Sequence, residues 1–187
     1  MRELSLDPIN KLVEEHRTIL SVLEVFNYFA RDIVSSNTCD KDQLGRYVKF
    51  IREYADKYHH AKEEDILFAT MAENGFSQNV GPIAVMLHEH VEGRKYVQFL
   101  WEASREPGER TEDECRAVVS AIRGYADLLR AHIYKENNIL YPMAREHLPK
   151  DIYQAMTERF DQAESSLAQL GSIASLELQA ADLIKAA

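Results

Sequence analysis

Two segments of the sequence carry a histidine and a glutamate four residues apart, each followed by the same type of apolar run. Residues 59–68 read HHAKEEDILF and residues 132–141 read HIYKENNILY. Aligned without gaps, the segments share their histidine, lysine, glutamate, isoleucine and leucine positions. Residues four apart lie on one face of a helix, about one turn apart. Each imidazole and its carboxylate can therefore reach one metal ion or two neighbouring ions.

Two further histidines, His16 and His90, lie in other stretches of helical periodicity. Four segments then each supply a histidine, and the interior of a helical bundle is a recurrent place for dinuclear metal sites. Mixed nitrogen and oxygen ligands suit iron, manganese and zinc better than calcium or magnesium. The predicted metal ligands are His16, His59, Glu63, His90, His132 and Glu136.

His60 and Glu64 have the same spacing as His59 and Glu63, so the first segment offers two registers. Only the pair His59 and Glu63 aligns with His132 and Glu136 in the segment 132–141. Its helical face is also apolar, with Val48, Ile51, Ala55 and Ile66, whereas the face of His60 carries the charged residues Lys49, Glu53 and Lys57. The face of His60 and Glu64 therefore suits solvent, and the register of His59 and Glu63 is preferred for the ligands. Spacing alone leaves open which neighbours join the site: His60, Glu64, His88 or Arg94.

Glycine and proline are scarce and separate long stretches of helical periodicity. These stretches predict four helices, which begin near Pro8, Asp40, Pro82 and Thr111. Thr111 and Glu114 have the spacing of a capping box. The fold class predicted is all-α, an up-down-up-down four-helix bundle over residues 1–149. A C-terminal helical extension over residues 150–187, with a break at Gly171, is expected to pack on the bundle or on a partner such as a second copy.

The ordered set of motifs resembles the hemerythrin-like (HHE cation-binding) family over roughly residues 9–146. The resemblance rests on His16, the two H-x-x-x-E motifs, and the Glu89-His90 pair with Gly93. It implies a bundle that holds two irons, bridged by carboxylates and by an oxo or hydroxo group. Zinc or manganese remains possible in a preparation. Members of the family carry or sense oxygen, handle nitric oxide or peroxide, or sense iron.

One departure from the family pattern affects the expected chemistry. Oxygen-carrying members have a histidine one turn after the ligand on the third helix, where this chain has Arg94. One iron would then have an open position or a substitute ligand, such as His60, His88 or water. Arg94 itself is expected to pair with an acid such as Glu63 or Glu136.

Composition excludes several classes of function. The 187 residues, 45% of them hydrophobic, suffice for a domain with a buried core. The net charge of −9 argues against nucleic acid as a partner, because phosphate binding needs a basic face. No apolar run approaches the roughly 18 residues of a membrane span. The two cysteines make no disulfide framework, and the N-terminus lacks the pattern of a secretory signal, which favours a cytoplasmic location.

The leading functional hypothesis is a di-iron protein that binds or senses oxygen, peroxide or nitric oxide. The four predicted histidines would be terminal ligands, and the two glutamates would bridge. An oxidoreductase acting on peroxide or nitric oxide is the first alternative, and a metal-stabilised regulatory module with a partner at the C-terminal helices is the second. The sequence leaves open whether the protein is an enzyme. The tyrosines expected in the core or beside the site are Tyr54, Tyr58, Tyr125 and Tyr134.

Overall fold

The polypeptide folds into helices joined by short loops. The structure, a computed structural model, describes residues 7–169 and 172–185, and it contains no strand within these ranges. Its helices are α1 (Pro8–Ser36), α2 (41–73), α3 (Pro82–Arg105), α4 (112–147), α5 (Lys150–Gln169) and α6 (Ser172–Lys185). The all-helical prediction is confirmed. The predicted break at Gly171 lies outside the described residues.

Side-chain caps fix where the helices begin. The Asp7 carboxylate accepts hydrogen bonds from the backbone amides of Ile9 and Asn10 at the start of α1. Asp40 caps α2 in the same way. Thr111 and Glu114 form the predicted capping box at the start of α4. Each cap satisfies amide groups that have no acceptor within the first turn of a helix.

Two of the helices contain π-helical segments. In α2, α-helical Lys41–Phe50 leads into π-helical Ile51–His60 and Glu63–Phe68, and Ala69–Glu73 is α-helical again. In α4, π-helical Glu136–Leu140 interrupts the α-helix. A π-helix bonds residue i to i+5 and is wider than an α-helix, so it rotates the following side chains relative to a regular α-helical register. The segments of α2 include both His59 and Glu63, whereas the segment of α4 begins at Glu136, the last residue of its motif.

Contacts between helix ends show how two pairs of helices lie together. Cys115, near the start of α4, contacts the carbonyl of Asn37 just after α1, and Arg145, near the end of α4, binds Asp7 just before α1. α1 and α4 therefore run in opposite directions. α3 packs between α2 and α4.

The core consists of two apolar clusters at opposite ends of the bundle. One contains Phe26, Tyr47, Leu100 and Ile122 and is covered by α6 through Leu176, Ala180 and Leu183. The other contains Ile9, Phe68, Ile83 and Tyr141 and is covered by α5 through Met156 and Phe160. The two C-terminal helices thus pack on the bundle of their own chain. The predicted metal ligands lie between the clusters along the helices.

Among the described residues, no helix is at once long enough and apolar enough to cross a bilayer.

Candidate metal centre

The structure brings all six predicted ligands together. They form two groups whose potential ligand atoms lie within 4.8 Å of one another. The first group is His16, His59, Glu63 and Glu136, and the second group is His60, His90, His132 and Glu63. Every one of these side chains is buried. Glu63 belongs to both groups, as a bridging carboxylate would.

The sequence leaves open whether His60 joins the site, and the structure places it there. Its ring is buried and stacks on His90, with the ring centroids 3.8 Å apart. His60 ends the π-helical segment of α2, while the preference for the His59 register assumed α-helical geometry throughout. Because the π-helix turns less per residue, the adjacent His59 and His60 both reach the interior.

The outer nitrogens of four histidines are held by a closed ring of hydrogen bonds. Each Nδ1 faces an oxygen from a neighbouring helix, at distances of 2.6–2.9 Å. Glu15 of α1 accepts from His59 of α2, and Glu64 of α2 accepts from His90 of α3. Glu89 of α3 accepts from His132 of α4, and Asn137 of α4 accepts from His16 of α1.

This ring determines which nitrogen of each imidazole faces the interior. Carboxylate and amide oxygens accept hydrogen bonds, so each Nδ1 carries the proton and donates it. Each neutral imidazole then presents an unprotonated Nε2 to the centre. Such a partner on the second nitrogen is the usual way in which proteins orient a metal-binding histidine.

Two inward nitrogens face each other within each group. His59 Nε2 lies 2.9 Å from His16 Nε2, and His90 Nε2 lies 3.0 Å from His132 Nε2. Where both imidazoles are neutral and protonated on Nδ1, their Nε2 lone pairs repel, whereas a cation between them would be attracted to both. The donor set therefore fits a metal ion in each group.

The two glutamates are buried, and three of their four carboxylate oxygens lack a donor. Neither Glu63 Oε2 nor either oxygen of Glu136 has a hydrogen-bond partner. Glu136 lies 3.1 Å from His132 Nε2 and 3.3 Å from His16 Nε2, so it contacts histidines of both groups. A buried carboxylate without a donor is costly unless a cation balances it. Both carboxylates are therefore placed to bridge two ions.

Burial and mutual charge set the protonation of the metal-free centre. Burial lowers the pKa of His59 and His60 well below the ordinary value, which keeps both rings neutral. Burial and the nearby Glu136 charge raise the pKa of Glu63 well above its usual range. Burial alone would lower the pKa of His132, but Glu136 and Glu89 raise it to about 9. The metal-free centre thus retains protons that a cation would displace.

A tyrosine and a lysine lie next to the first group. The Tyr141 hydroxyl donates to Glu63 Oε1 and lies 3.5 Å from His16 Nε2. Lys62 is only 2% exposed, and its ammonium group binds Glu15, the carboxylate that holds His59. The same ammonium lies over the Tyr58 ring, 3.7 Å from its centroid.

Arg94 takes no place in either group. Its Nη2 lies 2.7 Å from Asp56 Oδ1 and 2.8 Å from Glu64 Oε1. Arg94 thus pairs with acids, as expected, but these are Asp56 and Glu64 and not the suggested Glu63 or Glu136. Arg94 instead holds Glu64, which in turn holds His90. His60 joins the second group, while His88 is exposed.

The predicted positions of the tyrosines are mostly confirmed. Tyr54, Tyr58 and Tyr125 are buried, but Tyr134 is 66% exposed, so its predicted place in the core or beside the site is wrong. Tyr134 lies two residues after His132 on α4 and points outward. Tyr141, which the sequence reasoning did not single out, is the tyrosine that contacts the centre.

Sequence reasoning also missed the hydrogen-bond partners of the histidines. A signal for them exists, because the pair Glu-His occurs at both 15–16 and 89–90, and each H-x-x-x-E motif is followed by a residue with a side-chain oxygen, Glu64 or Asn137. The repeat thus extends beyond the ligands. Residue spacing within one segment does not predict which helix carries the histidine that each partner binds.

The fold and the site define this protein as a helical bundle with a buried histidine and glutamate metal centre. The sequence profile of the hemerythrin HHE cation binding domain matches residues 7–144. The chain belongs to this family, whose domain binds non-haem iron through histidines and glutamates such as those gathered here.

Curated relatives share part of the chain. The iron-sulfur cluster repair protein YtfE of Escherichia coli O81 is 33% identical over 103 residues, which cover 54% of this chain and 46% of that protein. The protein of the same name from Pectobacterium carotovorum is 35% identical over 88 residues, or 46% of this chain and 40% of the relative. The alignments thus span less than half of these relatives.

Proposed function

We propose that this protein holds two non-haem irons, one in each group, and binds or senses oxygen, peroxide or nitric oxide there. The observation that carries the proposal is the pair of opposed Nε2 contacts, 2.9 and 3.0 Å long, between histidines whose outer nitrogens already donate. Zinc or manganese would satisfy the same donors, and the iron preference follows from the family.

Each part of the centre has a defined task in this proposal. The irons, when bound, supply redox chemistry and coordination positions for a small ligand. The residues that would hold the irons are His16 and His59 in the first group, His60, His90 and His132 in the second, and Glu63 and Glu136, whose carboxylates contact histidines of both groups. The hydrogen-bond ring fixes the imidazole orientations, and the apolar clusters on either side limit the access of water.

The proposed bundle runs up, down, up and down. Support comes from the contacts of α1 with α4 described above, and from those between α2 and α3. Gly45, near the start of α2, lies beside Ser104 near the end of α3, while Glu64, further along α2, binds His90 near the start of α3. Because neighbouring helices run in opposite directions in this arrangement, histidines from all four helices meet at the same height along the bundle.

Metal analysis and visible spectroscopy test the proposal. Protein purified without added metal is expected to contain about two irons per chain, with near-ultraviolet bands that bleach on reduction and return in air. His90→Ala should lose iron, while His88→Ala, two residues away on the same helix but exposed, should keep it. Zinc alone, or no metal after reloading with iron, would contradict the redox function.

The relatives favour a second candidate function. Their name describes repair of iron-sulfur clusters, and the aligned region covers about half of this chain. The same centre would then act within a repair reaction, as an oxidoreductase on nitric oxide or peroxide. Recovery of activity in a peroxide-damaged [4Fe–4S] dehydratase, with and without the iron-loaded protein, tests it. Equal recovery in both samples would leave binding or sensing as the function.

A further inference from the structure

A cavity of about 190 Å³ opens against the second group. It lies between α2, α3 and α4, and one end is formed by the rings of His60, His90 and His132. From there it extends toward Ile51 and Val97. Its mouth includes the exposed side chains of Arg94 and Gln98, so the cavity joins solvent to the histidines.

The cavity is larger than a diatomic ligand requires. A water molecule occupies about 30 Å³ in the liquid, and an apolar cavity of about 150 Å³ in another protein accommodates benzene. Oxygen or nitric oxide would fill only a small part of the space beside His60 and His90. The volume matches one small ring.

The walls of the cavity are mainly apolar. Ile51, Tyr125 and Leu129 are buried and line it together with Val97 and Leu128. Gly93 contributes only backbone at the centre of the α3 wall. A Cβ at this position would lie 3.6 Å from Tyr125 and 3.9 Å from Leu128, so a larger side chain would extend into the space. An apolar ring can therefore pack against the α3 backbone at Gly93 and against the apolar side chains of the other two helices.

The charges around the cavity favour a neutral occupant. The Arg94 guanidinium is already bound by two carboxylates, Asp56 and Glu64. Arg52, also in the lining, stacks over the Trp101 ring at 4.6 Å from its centroid. Glu89 adds negative charge near the histidine end. An anion would find no unpaired cationic group aimed into the cavity by these residues.

We propose that this cavity binds one neutral, ring-sized organic molecule, with a polar atom directed toward His60, His90 and His132. Binding itself needs no metal, because the apolar walls provide the contacts. The role of the molecule as a substrate or effector beside the iron rests on the proposed function.

Phenol is the probe that tests the inference, because it combines one ring with one hydroxyl. Isothermal titration calorimetry of the iron-loaded and the metal-free protein is expected to show phenol binding in both. In the metal-free protein, where no cation attracts a carboxylate, benzoate should bind at least ten-fold more weakly than phenol. Gly93→Leu should weaken phenol binding at least ten-fold by filling the cavity. Val97→Phe fills it from a second position, in case Gly93→Leu folds poorly. Gly45→Ala, another helical glycine with similar space, should leave binding unchanged.

Three results would overturn the inference: no phenol binding, phenol affinity unaffected by both cavity-filling variants, or benzoate bound to the metal-free protein at least as tightly as phenol. Iron content, measured on the same samples, tests the proposed function separately. Absence of iron together with phenol binding would reject the di-iron function and keep the cavity. Two irons with no phenol binding would do the reverse.

Discussion

The two groups of the centre derive from one sequence repeat but differ in their surroundings. The first group is enclosed: Tyr141 covers Glu63, and the buried Lys62 holds Glu15 behind His59. The second group faces the cavity, and its third histidine, His60, corresponds to Ile133 in the other repeat. The repeat thus accounts for the donors that the two groups share. Positions that differ between its two copies, such as His60 and Ile133, give the groups different surroundings.

The lysines of the repeat show the same asymmetry. Lys62 is 2% exposed and also approaches Glu164 of α5 at 3.4 Å, so the C-terminal extension takes part in enclosing the first group. Its counterpart Lys135 binds Glu89 behind His132, but its side chain is 31% exposed. An ion pair is worth more where it is shielded from water.

Removing the shared carboxylate is expected to have the largest effect, because both groups contain it. Glu63→Ala should lower the iron content from two per chain to below one, as measured by elemental analysis after reloading. Glu14→Ala removes an exposed carboxylate of α1 and should retain two irons. Full iron occupancy in Glu63→Ala would show that Glu63 is not a bridge.

Changing the residue that distinguishes the groups should affect only one of them. His60→Ile copies Ile133 into the first segment, so the second group loses a donor and the first keeps all of its own. We expect iron binding at one site to weaken at least ten-fold, which titration with iron under anaerobic conditions would resolve. Equal weakening at both sites, or none, would contradict the assignment of His60 to the second group.

The two lysines should differ in their contribution to stability. Lys62→Met leaves the buried Glu15 without its cation, and removal of one partner of a buried pair costs about 3–5 kcal/mol. Lys135→Met breaks a more exposed pair and should cost about 1 kcal/mol or less. Urea unfolding of both metal-free variants measures the difference. Similar losses would show that the enclosure of the first group is not what makes Lys62 important.

The smallest expected effect lies at the end of the bundle next to α5. Asp7→Ala removes the cap of α1 and the acceptor of the Tyr153 hydroxyl. The free energy of unfolding should fall by about 1 kcal/mol for the cap and by roughly 0.5 kcal/mol more for the lost hydrogen bond. Thr111→Ala, which removes the cap of α4 without a contact to α5, is the control. A loss no greater for Asp7 than for Thr111 would argue against a stabilising contact with α5.

The contribution of Asp7 should also depend on pH. Partial burial alone would raise its pKa, but hydrogen bonds from the Asn10 amide, Tyr153 and Arg145 lower it below 3.8 in the folded state. The stabilisation is therefore present above about pH 4 and is lost as the pH falls through the folded pKa. Acid unfolding should show a difference between wild type and Asp7→Ala that shrinks below about pH 4.

Most of the helices could be predicted because their signals are local. Asp7, Asp40 and Thr111 precede helical periodicity, and each is observed as a cap. The six predicted metal-binding residues were recognisable because two of the motifs repeat. The predicted division at residue 149, and the possibility of a homo-oligomer through the C-terminal helices, remain predictions.

His60 and Arg94 mark the limit of this kind of reasoning. The preference for the His59 register used α-helical geometry for α2, in which adjacent histidines cannot share a face. The π-helical segment changes that register, and its formation depends on how α2 packs against its neighbours. The partner of Arg94 depends on where Asp56 and Glu64 of another helix lie, which spacing within one helix does not contain.

By itself the sequence determined the helices, their caps and the type of donors, because propensity, capping and i,i+4 spacing are properties of short segments. The tertiary structure alone decided that His60 joins the second group and that each histidine is held from the next helix. It also decided that a cavity opens against the second group. These features depend on the relative rotation of whole helices, which is set by packing across the bundle.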